Sequence, residues 1–228
     1  MSALADRLSE VRRRIAAACT SSGREANSVQ LIIVTKNHPS QLVLDLMDLG
    51  ENQFGENKDQ EASVKAYEVA EANTTLEPVW HFVGQLQSNK VRSMLNYASV
   101  LHSLDRISLL KELAKQLAKE PSKKLQVFIE LNLTNDPGRG GVSPDNLLAF
   151  AEEVLAVEQL DLLGVMGVAG LEAQPEQEFQ RIADASQSLQ TLAPKARFIS
   201  AGMSGDFETA IAYGATHIRV GTAITGKR

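Results

Sequence analysis

Short apolar runs alternate with amphipathic segments along the whole chain, with a period of roughly 25 residues. The runs are rich in β-branched residues, which favours strands. The segments between them carry apolar residues at helical spacing, as at Leu109, Leu113 and Leu117. The runs predicted as strands are 30–36, 53–57, 79–84, 100–105, 125–133, 160–169, 197–202 and 217–224.

Strands that alternate with helices predict a parallel sheet. Eight such units close most naturally into a single α/β (β/α)8 barrel, the TIM barrel, whose usual size of ~250 residues is close to the 228 residues of this chain. The alternative is an open doubly wound sheet, which usually carries a Gly-x-Gly-x-x-Gly turn after its first strand. Here the first strand ends in Thr35, Lys36 and Asn37, without glycine.

An extra N-terminal helix is predicted ahead of the first strand. Apolar residues recur at helical spacing from residue 2 to about residue 20, and the helix is expected to end near Gly23. No linker divides the chain, so residues 1–228 are expected to form one domain. The glycine-rich loop at 136–141 is predicted as a plain turn.

Charge and cysteine content narrow the classes of function. The chain has 23 Lys+Arg against 28 Asp+Glu, a net charge of −5, which argues against nucleic acid or an anionic membrane as a partner. The lone Cys19 cannot form an internal disulfide, which favours a reducing, cytoplasmic setting. No signal peptide or membrane span is predicted, since the N-terminal segment is charged and the longest apolar window, 162–171, is too short to cross a bilayer.

A barrel of this type carries its active site at the carboxyl ends of its strands. Lys36 lies there, on the same face of the first strand as Ile32 and Val34, while Leu31 and Ile33 point to the other face. We expect a lysine in the barrel mouth to lose hydration, so that its neutral amine could attack an aldehyde or a ketone. The alternative is an ordinary hydrated charge at the end of a strand.

The last two predicted strands end in small residues, at 200–204 and at Gly221 and Thr222. Barrels often bind phosphate in the loops after the seventh and eighth strands. Ser204 alone is equally well explained as the N-cap of a helix predicted over 205–213.

Arg219 shares the inward face of the last strand with Gly221, while Ile218 and Val220 are expected to face the helices. A buried arginine needs an acceptor, so Arg219 forms either an internal salt bridge or a ligand contact. A reactive amine, phosphate loops and an inward cation at one mouth together predict a pyridoxal phosphate site.

The four histidines, His38, His81, His102 and His217, are spread along the sequence. No zinc-binding motif is present, so no metal site is predicted. His81 could have a functional role, but a packed, hydrogen-bonded position in the core explains it equally well.

The motifs that carry a family resemblance are Ile33–Lys36, Phe54–Asn57, His81–Gly84, Leu86–Lys90, Gly202–Asp206 and Ile218–Ile224. With them the sequence resembles, nearly end to end, the pyridoxal phosphate homeostasis protein family, also called the proline synthase co-transcribed homologue family. The resemblance implies a single barrel related to the N-terminal domain of alanine racemase. It also implies that pyridoxal 5'-phosphate is held as a Schiff base.

The same resemblance implies a role for each candidate residue. The positions carried over are Lys36 for the Schiff base, Asn57 and Met166 beside the ring, Ser200, Gly221 and Thr222 at the phosphate, Gly202 as a further cofactor contact, and Arg219 at the pyridine nitrogen. Because arginine only donates hydrogen bonds, a ring nitrogen facing it stays unprotonated, which makes the ring a poor electron sink. This arrangement disfavours decarboxylation and transamination.

The resemblance favours a binding and homeostasis role over catalysis. Alanine racemase adds a second domain whose tyrosine is the opposing base; no such domain is expected after Arg228, and the tyrosines here are predicted in helical or inter-element segments. The family implies effects on amino-acid and keto-acid pools, apo-enzymes as partners, and a monomer or weak dimer. Two alternatives stay open: a pyridoxal-phosphate-dependent amino-acid racemase or lyase, and a lysine Schiff-base aldolase for a phosphorylated sugar.

Overall fold

A computed structural model describes residues 2–72, 74–134, 140–170 and 174–226 of the chain. Parallel strands pair in chain order, and the last strand pairs with the first, which closes the barrel. The predicted TIM barrel is therefore confirmed. Its strands are β1 Gln30–Val34, β2 Gln53–Glu56, β3 Val79–Phe82, β4 Ala98–Leu104, β5 Leu125–Glu130, β6 Leu160–Met166, β7 Phe198–Ser200 and β8 His217–Val220.

Helices surround the barrel and cover its outer face. They are α1 Ala3–Ser21, α2 Ser40–Asp48, α3 Asp59–Glu71, α4 Val91–Met94, α5 Ile107–Leu117, α6 Leu147–Leu155, α7 Pro175–Leu192, α8 Phe207–Ala212 and α9 Thr222–Thr225, with short 3-10 turns at Ala26–Ser28, Ser88–Lys90 and Pro144–Asn146. Among these described helices, none combines the length and apolarity needed to cross a bilayer. Most of the loop predicted as a turn at 136–141 lies outside the described residues.

All eight strands end before the residue predicted for their carboxyl ends. β1 ends at Val34 rather than residue 36, and β8 ends at Val220 rather than residue 224. After β8 the β-branched pattern continues, but the backbone N–H of Ile224 donates to Gly221 O at the start of helix α9 instead of to a neighbouring strand. The residues that follow the shortened strands therefore belong to the loops of the barrel mouth.

The two faces of the strands build two separate apolar layers. Leu31, Ile33, Ile218 and Val220 belong to the large cluster between the sheet and the helices. Val100, Phe128 and Met166 form a small cluster inside the barrel. The facing predicted for the first and last strands is confirmed, since Ile32 pairs in register with the inward Arg219.

The extra N-terminal helix α1 is confirmed and packs on α8 and α9. It ends at Ser21, and Gly23, two residues further on, has φ of +66°, a left-handed conformation that favours glycine. Arg7 Nε donates to Ile224 O at 2.6 Å, and the Arg14 guanidinium binds Glu208 at 2.5 Å while lying 4.7 Å from the centroid of the Phe207 ring. The α1 helix thus ties down the two helices that follow the last strands.

Candidate functional site at the barrel mouth

A cavity of about 400 Å³ opens at the carboxyl ends of the strands. It is lined by Val34, Lys36, Asn57, Val83, Gly84, Glu130, Met166, Val168, Met203, Ser204, Gly205, Arg219, Gly221 and Thr222. The fold therefore brings Lys36, Asn57, Met166 and Arg219 together with the two small residues after β8. Ser200 and Gly202 are absent from this lining.

The Lys36 side chain is exposed at the mouth, so the loss of hydration expected from its position is not observed. Its backbone neighbours on both sides are anchored instead. Lys65 Nζ donates to the carbonyl oxygen of Thr35 at 2.8 Å. On the other side the N–H of Asn37 donates to Glu61 Oε1, and Asn37 has φ of +61°, a left-handed conformation. The backbone that carries Lys36 is therefore held before any ligand arrives.

A buried ion cluster supplies these anchors. Lys65, which is 3% exposed, binds Glu56 Oε1 at 2.5 Å and Glu61 Oε1 at 3.0 Å. The Thr35 hydroxyl also donates to Glu56 Oε1, at 2.7 Å. Burial raises the pKa of Glu56, while the hydrogen bond from Lys65 acts in the opposite direction. Two long side chains on α3 and one carboxylate on β2 thus fix the end of β1.

Asn57 presents an acceptor that no group in the described chain satisfies. Its Oδ1 atom is buried and lacks a hydrogen-bond partner. An unsatisfied buried acceptor costs roughly 1–3 kcal/mol; Glu56 Oε2 also lacks a partner, but Asn57 lines the cavity, where a ligand could supply one. Gly84 lets the backbone of Asn57 approach, because a Cβ on Gly84 would lie 2.2 Å from Asn57 O.

Arg219 is a buried cation with neutral partners. Its Nη1 donates to Ser200 Oγ at 2.5 Å and its Nη2 donates to Gly167 O at 3.2 Å. Burial lowers its pKa to about 10, so it stays charged at neutral pH. Both of its hydrogen-bond partners are neutral, while the charges of the Glu130 and Asp206 carboxylates act to raise its pKa against the effect of burial. Of the two alternatives, the geometry favours the ligand contact over the internal salt bridge.

Ser200 and Gly202 lie behind the cavity wall. Ser200 is fully buried, and its hydroxyl contacts Arg219 and His102 rather than the cavity. Gly202 O accepts the backbone N–H of Arg219 at 2.9 Å. Gly202 has φ of +92°, and a Cβ there would lie 2.7 Å from the Cβ of Ala210. Both residues shape the site without lining it.

The N-cap prediction for Ser204 is wrong. Helix α8 begins only at Phe207 and has Asp206 at its N-cap position, because residues 204–206 form a turn in which Asp206 Oδ1 accepts the N–H of Met203 at 2.6 Å. The Ser204 hydroxyl instead accepts the N–H of Ala223 at 3.4 Å. It thereby joins the two loops predicted to hold phosphate.

Histidines meet inside the barrel beneath the cavity, which the sequence analysis missed. His81 Nδ1 lies 2.9 Å from His102 Nε2. His102 stacks on Phe128 with 4.7 Å between ring centroids, and His217 meets Phe128 edge-on at 5.1 Å. Burial lowers the pKa of His81 to about 3 and that of His217 to about 4, and it lowers the pKa of His102 well below its usual value. All three are neutral at pH 7.

A signal for this cluster was present in the predicted strands. His217 is two residues before the inward Arg219, and period-two counting places it on the same face. His81 and His102 also occupy predicted strands. The expectation of a hydrogen-bonded core position for His81 is confirmed. Among the described residues, no group of three or more His, Cys, Asp or Glu is arranged to hold a metal ion.

Comparison with known proteins places the chain in a family. Residues 7–228 match the family model described as alanine racemase, N-terminal domain. The chain belongs to the alanine racemase N-terminal domain family. A protein of Escherichia coli K12 named pyridoxal phosphate homeostasis protein is 35% identical over 232 residues, covering 100% of this chain and 98% of its own length. The protein of the same name from Mycobacterium leprae is 37% identical, covering 96% of this chain and 90% of its own.

Solved structures of other proteins are similar to this barrel. PipY of Synechococcus elongatus, solved with pyridoxal phosphate bound, has a TM-score of 0.84 and 32% identity and covers 98% of this chain and 100% of its own. Alanine racemase of Corynebacterium glutamicum has a TM-score of 0.67 at 14% identity, and the match covers 97% of this chain but 62% of that enzyme. The latter similarity concerns the fold alone.

Proposed function

We propose that this chain binds pyridoxal 5'-phosphate at the barrel mouth, as a Schiff base on Lys36, and serves in the homeostasis of that cofactor. The observation that carries the proposal is that one cavity holds Lys36, the buried cation Arg219 and the unsatisfied acceptor of Asn57. The bound form of PipY and the names of the curated relatives support it.

The residues present fit this cofactor. Arg219 can donate to the pyridine nitrogen, and the Asn57 oxygen can accept from a hydroxyl group on the ring. Gly221 and Thr222 have little or no bulk, and together with Ser204 they line the part of the cavity that would take the phosphate. Met166, 2% exposed, is an apolar wall for the ring. When bound, the cofactor supplies an aldehyde that condenses with an amine and a ring that can withdraw electrons.

The same residues favour carrying the cofactor over turning over a substrate. Racemisation requires a proton donor or acceptor on each face of the substrate carbon. Tyr67, Tyr97 and Tyr213 do not line the cavity, and the Tyr97 hydroxyl donates to Asp59 Oδ1 at 3.3 Å instead. Arg219 remains charged and only donates, which keeps a ring nitrogen unprotonated. Lys36 and Glu130 are then the cavity-lining residues that could move a proton, and the proposal assigns that role to Lys36.

The cellular role follows from reversible binding. A Schiff base can exchange with free amines, so the protein would hold and release the cofactor, exchange it with apo-enzymes and affect amino-acid and keto-acid pools. The buried Cys19 and the net charge of −5 support a cytoplasmic protein without nucleic acid or membrane partners. We propose a monomer or a weak dimer.

Borohydride reduction followed by peptide mass spectrometry tests the proposal. Wild-type protein incubated with pyridoxal phosphate should turn yellow and carry the reduced label on Lys36. Lys36→Ala should fold and carry none, and Lys58→Ala, which removes an exposed lysine beside Asn57, should label as the wild type does. A label that persists in Lys36→Ala would refute the assignment. Colourless wild-type protein would favour the aldolase, and Lys36-dependent racemisation or lysis of amino acids would favour the enzyme.

A further inference from the structure

A continuous chain of hydrogen bonds crosses the barrel interior from the mouth towards the amino-terminal end of β2. Arg219 Nη1 donates to Ser200 Oγ at 2.5 Å, and Ser200 Oγ lies 2.8 Å from His102 Nδ1. His102 Nε2 lies 2.9 Å from His81 Nδ1, and His81 Nε2 lies 2.8 Å from Gln53 Oε1. This series of hydrogen bonds begins at Arg219, which lines the cavity, and continues through side chains that do not line it.

The orientation of Gln53, at the end furthest from the cavity, determines which group donates and which accepts in each of these hydrogen bonds. Gln53 Nε2 donates to Asn52 Oδ1 at 3.0 Å, so the Gln53 oxygen faces His81 and accepts. A neutral His81 that donates from Nε2 has no proton on Nδ1 and must accept there from His102 Nε2. A neutral His102 then has no proton on Nδ1 and accepts the hydroxyl proton of Ser200.

The end next to the cavity, at Ser200 and Arg219, requires the same donors and acceptors. Ser200 has one hydroxyl proton, and donating it to His102 leaves the oxygen lone pairs for the Arg219 guanidinium, which only donates. Both ends therefore agree on a single arrangement in which each group donates away from the cavity. Stacking on Phe128 fixes the plane of the His102 ring, at an angle of 26° between the two planes.

We propose that Ser200, His102 and His81 are positioning residues that orient the Arg219 guanidinium towards the pyridine nitrogen of the cofactor. The Ser200 oxygen is the acceptor for Nη1, and Gly167 O is the acceptor for Nη2. Together they hold one edge of the guanidinium plane against the barrel wall. The inference rests on the proposed function for the identity of the ligand, but the direction of these hydrogen bonds is testable without any ligand.

Nitrogen-15 NMR of the histidine rings in the cofactor-free protein tests the direction directly. His81 and His102 should both be neutral at pH 7, with the proton on Nε2. A proton on Nδ1 of either ring would reverse a hydrogen bond of the chain and overturn the proposal. This measurement stands even if the label fails to form on Lys36, so failure of the proposed function can be told apart from failure of this inference.

Substitution of Ser200 tests the effect on the ligand. Ser200→Ala removes the acceptor of Nη1 and should weaken binding of pyridoxal phosphate about tenfold, since a hydrogen bond to a charged group is lost. It should also shift the absorption band of the Lys36 adduct, which a loss of packing alone would not do. Ser186→Ala is a matched control, because Ser186 is 1% exposed and lies on α7; both readouts should be unchanged there.

An unchanged affinity and spectrum in Ser200→Ala would show that Arg219 keeps its orientation without the chain and would overturn the proposal. If Ser200→Ala does not fold, His102→Asn takes its place. The asparagine oxygen can accept from Ser200 in place of Nδ1, so near wild-type affinity and spectrum are expected for His102→Asn. His102→Leu, which removes that acceptor, should shift the band, and an identical spectrum in the two variants would overturn the inference.

Discussion

Lowering the pH from 7 to 5 should destabilise the cofactor-free protein by about 4 kcal/mol, through two histidines buried in the barrel. His81 is 3% exposed and His102 is fully buried. Burial lowers the pKa of both, that of His81 to about 3. Below their ordinary pKa of ~6.5 the unfolded chain takes up two protons that the folded barrel does not.

The magnitude follows from this difference in bound protons. Stability rises with pH wherever the unfolded state binds more protons, so the contribution is present above the unfolded pKa and is lost as the pH falls. A histidine that stays neutral in the fold contributes about 2 kcal/mol between pH 7 and pH 5, because the slope approaches ~1.4 kcal/mol per pH unit below the unfolded pKa. The pKa of the partly exposed His217 is lowered as well, so protonation of the unfolded chain at this residue adds to the loss of stability. Glu56 has the opposite sign, because its raised pKa lets the folded state take up a proton as the pH falls.

Urea unfolding at pH 7, 6 and 5 measures the free energy of unfolding at each pH. A double variant, His81→Gln with His102→Gln, should be less stable at pH 7 but should lose most of the pH slope. His38→Gln removes a histidine from the loop after β1, outside the interior, and should keep the slope. A loss below about 1 kcal/mol in the wild type between pH 7 and pH 5 would refute the view that these rings stay neutral in the fold.

Two further substitutions probe the framework of the site. Lys65→Met leaves the buried Glu56 without its cation and should reduce the free energy of unfolding by about 3–5 kcal/mol; adding Glu56→Gln should recover part of it, and a loss under ~1 kcal/mol in the single variant would contradict the ion pair. Gly84→Ala places a Cβ 2.2 Å from Asn57 O, so the Asn57 backbone must move; titration should show binding of pyridoxal phosphate weakened at least about tenfold, and wild-type affinity would mean that Asn57 is not a contact.

Much of the barrel could be predicted because its signals are local. β-branched runs at a regular period specify strands, and the alternation of side chains along a strand placed Arg219 inward and Ile218 outward. The same rule identified Lys36 at the mouth. Prediction failed at Ser204, where an N-cap residue type occurs three positions before the helix begins. A turn closed by Asp206 and a contact to Ala223 took its place, and neither is visible in local spacing.

The sequence by itself determined the fold class, the inward and outward faces of the first and last strands, and the location of Lys36 and Arg219 at the barrel mouth, since these depend on the order and spacing of neighbouring residues. Only the tertiary structure decided that Lys65 anchors the backbone next to Lys36, that Ser200 accepts a hydrogen bond from Arg219 behind the cavity wall, and that two histidines from β3 and β4 are hydrogen-bonded to each other inside the barrel. The physical reason is that each of these contacts joins different elements of the closed barrel. Ser200 and His102 are 98 residues apart along the chain, and closure of the barrel brings their hydrogen-bonding atoms to 2.8 Å.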